Sequence, residues 1–289
     1  MDWRKYEKEI YAIFKREFPK AEITSDTKLK GRYSLINRQI DILIQDYVAG
    51  NRITIVIDAK FFNQKIDVKD VECFIGMLAD IGVHKGLLIT QEGYTNAAIK
   101  RAYNDPSDVE LDILNFKELK EYHGFLAFPF AGDISVFLPA PFGCVIDNRT
   151  KENDWLALIY QRGLTFEEAA DKREWMYVNF WDRRIKNVSL DDLLKIQLAT
   201  FDGLEAQIEM VPTIKRERNK TALRKVTIPT YPAPEYTGFV EFEDFIFYAV
   251  MFSPIELESK NIRKLENIMI NVIPGKVKHE KPESEQVIE

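Results

Sequence analysis

The chain is poor in the residues that build sulfur and imidazole sites. It has two cysteines, Cys73 and Cys144, and three scattered histidines in 289 residues. Such usage excludes a disulfide-stapled secreted scaffold and gives no zinc-site spacing. Each cysteine sits among apolar neighbours and reads as a buried thiol in a reducing cytoplasm. No apolar run approaches the roughly 18 residues of a membrane span. The first residues, Met1-Asp2-Trp3-Arg4-Lys5-Tyr6, open into a helical pattern without a signal-peptide core. A strong excess of one charge sign is also missing. The net charge of −6 argues against a surface coated in basic patches but leaves room for local ones. One such stretch is Thr213 to Thr230, where Lys215, Arg216, Arg218, Lys220, Arg224 and Lys225 face Glu217 alone.

What is present fits a globular chain with a real core, 46% hydrophobic and 30% charged. Its length suits one large domain or two ordinary ones. Trp3, Tyr6, Ile10, Ile13, Phe14 and Phe18 fall on one arc of a helix over 3–18, which Pro19 ends. A polar loop is expected over 28–37. Two strands follow, 38–44 and 53–60, joined by a turn at Ala49-Gly50-Asn51. Asp67 caps a helix from Val68 to Asp80. Gly86 to Thr90 is a buried strand, Thr95 starts another helix, Val109 to Leu114 is a last strand, and a short helix runs to about Tyr122. A hairpin feeding a βαβ-like unit predicts an α/β mixed sheet flanked by helices.

Gly124 marks a boundary, dividing a first domain, 1–124, from an α+β domain, 125–275, and a disordered tail, 276–289. In the second domain, Phe125 to Ile146 reads as strands and turns. Thr165-Phe166-Glu167-Glu168 fits a capping box before a helix from Ala169 to Phe180, with Trp175, Tyr177, Phe180 and Trp181 packed at helical spacing. Ser189 starts a helix reaching about Met210. Phe239 to Phe252 reads as strand, and Leu257 to Val272 stays open between helix and strand.

The two strands over 38–44 and 53–60 carry charge where an interior strand should be apolar. Asp41 interrupts one aliphatic run; Asp58 and Lys60 close the other. Ionised groups are costly to bury unless paired or bound to a metal. Alternation puts Asp58 and Lys60 on one face, and pairing through the short turn brings Asp41 near Asp58. Two neighbouring carboxylates suit a hard cation, Mg²⁺ or Mn²⁺, with the backbone carbonyl of Ala59 as a third oxygen. Such a cation would polarise a phosphoryl oxygen, with Lys60 beside it to orient water or stabilise charge. Glu7 lies inside the apolar arc of the first helix, between Trp3 and Ile10, where leucine is expected. Glu17 also falls on that arc but sits near the helix end, within reach of water.

Tyr6-Glu7, then Arg38-Gln39-Ile40-Asp41, then Ile57-Asp58-Ala59-Lys60 resemble the PD-(D/E)xK nuclease superfamily and, within it, the Mrr-like restriction endonuclease domain. The continuation Asp80 to Thr90, Gly93-Tyr94-Thr95 and Ala97-Ala98 extends the resemblance over about residues 3–122. It implies a restriction-endonuclease-like fold and metal-dependent cleavage of DNA in restriction or anti-phage defence. By position, Asp41 and Asp58 would be metal ligands, Lys60 the catalytic lysine and Glu7 the helix acid. Cutting both strands needs two active sites, which implies a homodimer. Asp58 stands where such domains usually carry Glu, and Ala59 where Cys is frequent. Lys28, Lys30, Arg32, Arg38 and Gln39 are candidate DNA contacts beside the site, and Lys215, Arg216 and Arg218 form a candidate arm. The alternatives are a structure-specific repair or junction nuclease, and a non-catalytic nucleic-acid-binding module that keeps the fold.

Overall fold

The computed structural model describes residues 2–48, 50–83, 85–113, 125–147, 155–185 and 187–277. The chain divides into two compact units, Met1–Tyr122 with Gln161–Thr165, and His123–Tyr160 with Phe166–Glu289. Among the described residues no helix is long and apolar enough to cross a membrane. The expected short helix to Tyr122, the boundary at Gly124, His84 and the tail from residue 278 lie outside the described residues.

In the first unit, helix α1 (Trp3–Glu17) starts at Asp2, whose carboxylate accepts a hydrogen bond from the Lys5 N–H at 2.8 Å. Tyr6, Ile10, Ile13 and Phe14 are buried as the spacing predicts. Trp3 is not: it stays 53% exposed, with the Arg4 guanidinium 4.9 Å above its ring. The buried arc therefore begins one turn later than expected. Strands β1 (Glu22–Lys30), β2 (Asn37–Val48) and β3 (Asn51–Lys60) form an antiparallel meander. Helix α2 (Val68–Ile81) leads to β4 (Lys85–Thr90) and helix α3 (Asn96–Tyr103) to β5 (Asp108–Ile113), both strands joining in parallel. The sheet order is β1-β2-β3-β4-β5.

The polar loop is shorter than expected. Lys28 and Lys30 belong to β1, opposite Gln39 and Asn37, because Thr27 and Leu29 alternate inward between them. Asp67 and Asp70 make a reciprocal capping box for α2, and Gly82, with φ of +66°, ends it. Val71, Phe74, Ile75 and Leu78 pack with Leu43, Val56 and Leu88 of the sheet. Ile42, Ile57, Leu87 and Ile89 have the opposite parity and are buried too, as expected of a sheet covered on both sides. Cys73 falls on the outer side of α2 and is exposed, contrary to expectation; Cys144 is buried.

Glu17 does not reach water as its place near the helix end suggests. Its side chain is 7% exposed and meets Nη2 of Arg162, which is 2% exposed, at 3.0 Å. Burial pushes its carboxyl above the usual range, against the opposing pull of Arg162. The Arg162 guanidinium also lies 5.3 Å from the Phe14 ring centre. Removing one partner of a buried pair strands the other's charge. Glu17→Ala is therefore expected to cost about 3 kcal/mol in a urea titration; a loss below about 1 kcal/mol would mean the pair is solvated.

In the second unit the described residues form two sheets. The larger contains β9 to β15 and the smaller β6, β7, β8 and β16. In chain order these are β6 (Leu126–Ala127), β7 (Phe130–Ala131), β8 (Ile134–Pro139), β9 (Cys144–Asp147) and β10 (Ala157–Gln161). Next come α4 (Phe166–Lys172), β11 (Trp175–Asp182), α5 (Leu190–Leu198), β12 (Gln207–Val211) and β13 (Thr221–Thr227). The chain continues through β14 (Glu235–Glu241), β15 (Phe245–Phe252), α6 (Glu258–Asn271) and β16 (Ile273–Lys276).

Two helices are shorter than expected. The helix from Ala169 to Phe180 ends at Lys172; Arg173 takes a φ of +55°, and Trp175 to Asp182 is strand. Aromatic and β-branched residues favour a strand there, with Met176 and Val178 alternating into the core. Trp175, Tyr177, Phe180 and Trp181 are thus strand residues. The helix from Ser189 stops at Leu198, and Gln207–Val211 is again strand. Leu257 to Val272 resolves as helix α6, and Lys276, expected in the tail, ends β16 beside β8.

Candidate active site

The site is built where β2 begins and β3 ends. Ile42 pairs with Ile57, so Asp41 and Asp58 are the next residues across the ladder. Their carboxyls are in hydrogen-bonding contact, and Asp41 Oδ2 also accepts from the Ala59 N–H at 2.9 Å. Lys60 Nζ lies 2.9 Å from Asp58 Oδ2. The Asp58 and Lys60 side chains keep 16% and 33% of their exposure, so the pair opens to solvent. The three residues that interrupt the aliphatic runs therefore meet at one point.

Electrostatics follow from that crowding. Burial, then the charge of Asp58, pushes the Asp41 carboxyl up to about 7; the Ala59 N–H opposes the shift and Glu7 adds to it. Burial disfavours the Lys60 ammonium, but Asp58 and then Asp41 outweigh it, and its pKa is raised. Lys60 is therefore a cation and a hydrogen-bond donor. Glu7, half-buried on α1, feels both Asp58 and Lys60, and its carboxyl is raised by burial and by Asp26 and Asp58.

Paired carboxyls that repel one another in a half-buried pocket are what a divalent cation relieves. Among the described residues no three His, Cys, Asp or Glu side chains are grouped to hold a metal by themselves. The donor set that fits is Asp41, Asp58 and the main chain at Ala59, completed by water or phosphate oxygens. Mg²⁺ is commonly held that way, by one or two carboxylates and the substrate.

The remaining candidates are placed as follows. Arg38 Nε donates to Asp80 Oδ2 at 2.7 Å, Arg32 Nη2 to the Gly82 carbonyl at 3.0 Å, and Gln39 Nε2 to Asp26. Lys28 and Lys30 project to solvent from β1. In the second unit, Lys215 and Arg218 are exposed. Arg216 is turned inward: Nη1 donates to the Met269 and Val272 carbonyls at 2.8 and 2.9 Å, and its head lies 5.5 Å from the Phe242 ring centre. The expectation of a DNA-contacting arm fails for Arg216, whose guanidinium helps hold the end of α6.

Sequence reasoning missed Asp26 and the role of Asp80. Asp26 sits between the pairs Ser25–Ile42 and Thr27–Ile40, across from Asp41, with a φ of +51°. It is hidden in an ordinary polar run and gives no signal. Asp80 does give one: an acid in the last turn of α2 opposes the helix dipole and asks for a partner.

Residues 1–122 match the family Mrr_cat, described as restriction endonuclease. No curated protein matches the chain. Among solved structures it is similar to the crystal structure of a protein of unknown function, AF1548, at 18% identity and a TM-score of 0.31. That overlap takes in 39% of this chain and 60% of the other, so this chain spans about three-fifths of that protein's length. It is also similar to the solution structure of cyanobacterial PsbP (CyanoP) from Synechocystis sp. PCC 6803, at 8% identity and a TM-score of 0.34, over 50% of this chain and 94% of that one. The family match covers the sheet and helices that carry Glu7, Asp41, Asp58 and Lys60, and residues 1–122 are consistent with an Mrr-like restriction endonuclease domain.

Proposed function

We propose that the chain is a divalent-cation-dependent DNA endonuclease that hydrolyses phosphodiester bonds at Asp41, Asp58, Lys60 and Glu7. The observation that carries this reading is the joined Asp41–Asp58 carboxyl pair with the Lys60 ammonium against it. Water adds to phosphorus, the bond to the leaving sugar oxygen breaks, and negative charge builds on the phosphoryl oxygens. Lys60, held by Asp58 Oδ2, places a fixed positive charge where those oxygens sit. Asp41 is fixed by the Ala59 N–H, so its carboxyl has one orientation. Glu7, whose carboxyl is raised by burial and by its acidic neighbours Asp26 and Asp58, is the acid placed to take a proton from the attacking water. A Mg²⁺ or Mn²⁺ ion bound by Asp41, Asp58 and the Ala59 carbonyl would supply a Lewis acid and a more acidic water. The substrate is double-stranded DNA, cut by a homodimer in the cytoplasm, and the setting we assign is restriction or another defence against foreign DNA.

Two measurements test this. Purified full-length protein is expected to nick or cut plasmid DNA with Mg²⁺ or Mn²⁺ and to stop on adding EDTA. Calorimetry is expected to detect Mn²⁺ binding that Asp41→Asn weakens at least about tenfold, in line with the loss of one of two carboxylate ligands. Mn²⁺ binding unaffected by Asp41→Asn would dismiss the assigned ligand set, and no cleavage with any divalent cation would dismiss the activity.

A further inference from the structure

The loop that closes the β1–β2 hairpin is held more firmly than a surface loop needs. The Gly31 N–H donates to the Ile36 carbonyl at 2.8 Å, and the Arg32 N–H to the Asp80 carbonyl at 2.6 Å. The Asp80 carboxylate accepts from the Tyr33 N–H, the Ser34 N–H and the Ser34 hydroxyl at 3.0, 2.9 and 2.6 Å, and from Arg38. The loop packs directly on that carboxylate: a Cβ at Gly31 would stand 2.3 Å from Asp80 Oδ2.

What this rigid frame presents is apolar. Tyr33, Leu35 and Ile36 are 81%, 67% and 55% exposed. Leu35 takes a φ of +59°, unfavourable for a branched, bulky residue and retained only where surroundings impose it. The loop's flanks are basic: from Thr27 to Arg38 there are Lys28, Lys30, Arg32 and Arg38 and no acid. Asp41 follows soon after the loop re-enters β2 at Asn37. At about 3.4 Å per residue, Ile36 lies within roughly 17 Å of Asp41, half a turn of a DNA duplex.

We propose that residues 31–36 form a rigid apolar wedge that inserts Tyr33, Leu35 and Ile36 between base edges in a groove of the duplex bound at the acidic site. Lys28, Lys30 and Arg32 hold the adjoining phosphates. The inference rests on the nuclease reading of that site. Preformed apolar wedges flanked by cations open a base step and bend DNA at modest cost, because the protein loses little freedom on binding.

The test uses full-length protein with Ca²⁺ and duplexes carrying 2-aminopurine at successive positions. The wild type is expected to bind and to raise the fluorescence at one or two adjacent positions. Replacing Tyr33, Leu35 and Ile36 together by serine should leave the melting temperature near that of the wild type, weaken binding at least about tenfold and remove the fluorescence rise. Leu35→Asn is the second variant, because Asn accepts the left-handed backbone; it should lower affinity with no loss of stability. Lys28→Ala with Lys30→Ala should weaken binding yet keep the fluorescence rise at saturation. Equal affinity and equal fluorescence in the serine variant would overturn the wedge and leave the nuclease reading standing. Failure of the wild type to bind any duplex would overturn both. Loss of self-association in the serine variant, with DNA binding intact, would assign the apolar tip to a second copy of this chain and overturn the wedge.

Discussion

Lys60→Ala is expected to reduce plasmid cleavage by at least about a hundredfold while the protein still binds DNA. The ammonium sits 2.9 Å from Asp58 Oδ2 at the open edge of the site. Its raised pKa keeps it charged through the physiological range, and in the proposed mechanism it would act on the charge that builds on phosphate. A charge that acts mainly in the transition state lowers the rate and leaves ground-state binding nearly intact. Asp58→Ala should be at least as severe, because it removes a carboxylate and also releases Lys60. Arginine at position 60 should restore little, since its planar fork does not fit a site shaped for a compact ammonium. The measurement is single-turnover cleavage of a labelled duplex with matched binding curves. Cleavage by Lys60→Ala or Asp58→Ala at the wild-type rate would remove these residues from the mechanism.

Asp41→Asn is expected to make the protein more stable and inactive at once. In the metal-free fold the Asp41 carboxyl is pushed from its usual 3.8 up to about 7, first by burial and then by Asp58. Below about pH 4 the group is protonated in both the folded and unfolded chain and contributes nothing. Between about 4 and 7 the unfolded chain loses the proton while the folded one keeps it. Stability therefore falls as pH rises through that window, and the full penalty stands above about 7. Three pH units correspond to about 4 kcal/mol, a penalty Asp41 shares with Asp58, so removing the Asp41 charge relieves about 2–4 kcal/mol. Asparagine keeps the shape and removes the charge. In EDTA at pH 8 its melting temperature should exceed the wild type's by roughly 5–10 °C, with the difference shrinking toward pH 4. Mg²⁺ should narrow the gap by stabilising the wild type more than the weaker-binding variant. A variant less stable than wild type at pH 8 would show that Asp41 is held by favourable contacts.

Much of the first unit was legible because its elements are local. The caps at Asp67 and Thr95, the inward periods of α1 and α2, and the aliphatic runs of β2, β3 and β4 each carry their own signal, and the observed elements follow them. Asp41, Asp58 and Lys60 stood out because charge interrupts those runs. What escaped was non-local. Asp26 matters through its place across from Asp41, which only strand pairing creates. Glu17 looked like a solvated acid because its partner is Arg162, far along the chain. The second unit misled for a different reason. Trp175, Tyr177, Phe180 and Trp181 satisfy a helical period by chance, while the alternation of Met176 and Val178 into the core decides for strand.

The return of residues 161–165 to the first unit sets an order of events during synthesis. The Gln161 side-chain amide donates to the Leu111 carbonyl, Arg162 meets Glu17, and Leu164 is buried. A nascent chain that has released only residues 1–122 holds every catalytic candidate but lacks the cation that balances Glu17. Ribosomes add about 5–20 residues per second, so that incomplete state lasts for seconds. By the time Arg162 emerges, the first strands of the second unit have been made as well. Nuclease activity would then mature late, after much of the accompanying unit already exists, and a chain cut short at residue 122 would stay poorly folded.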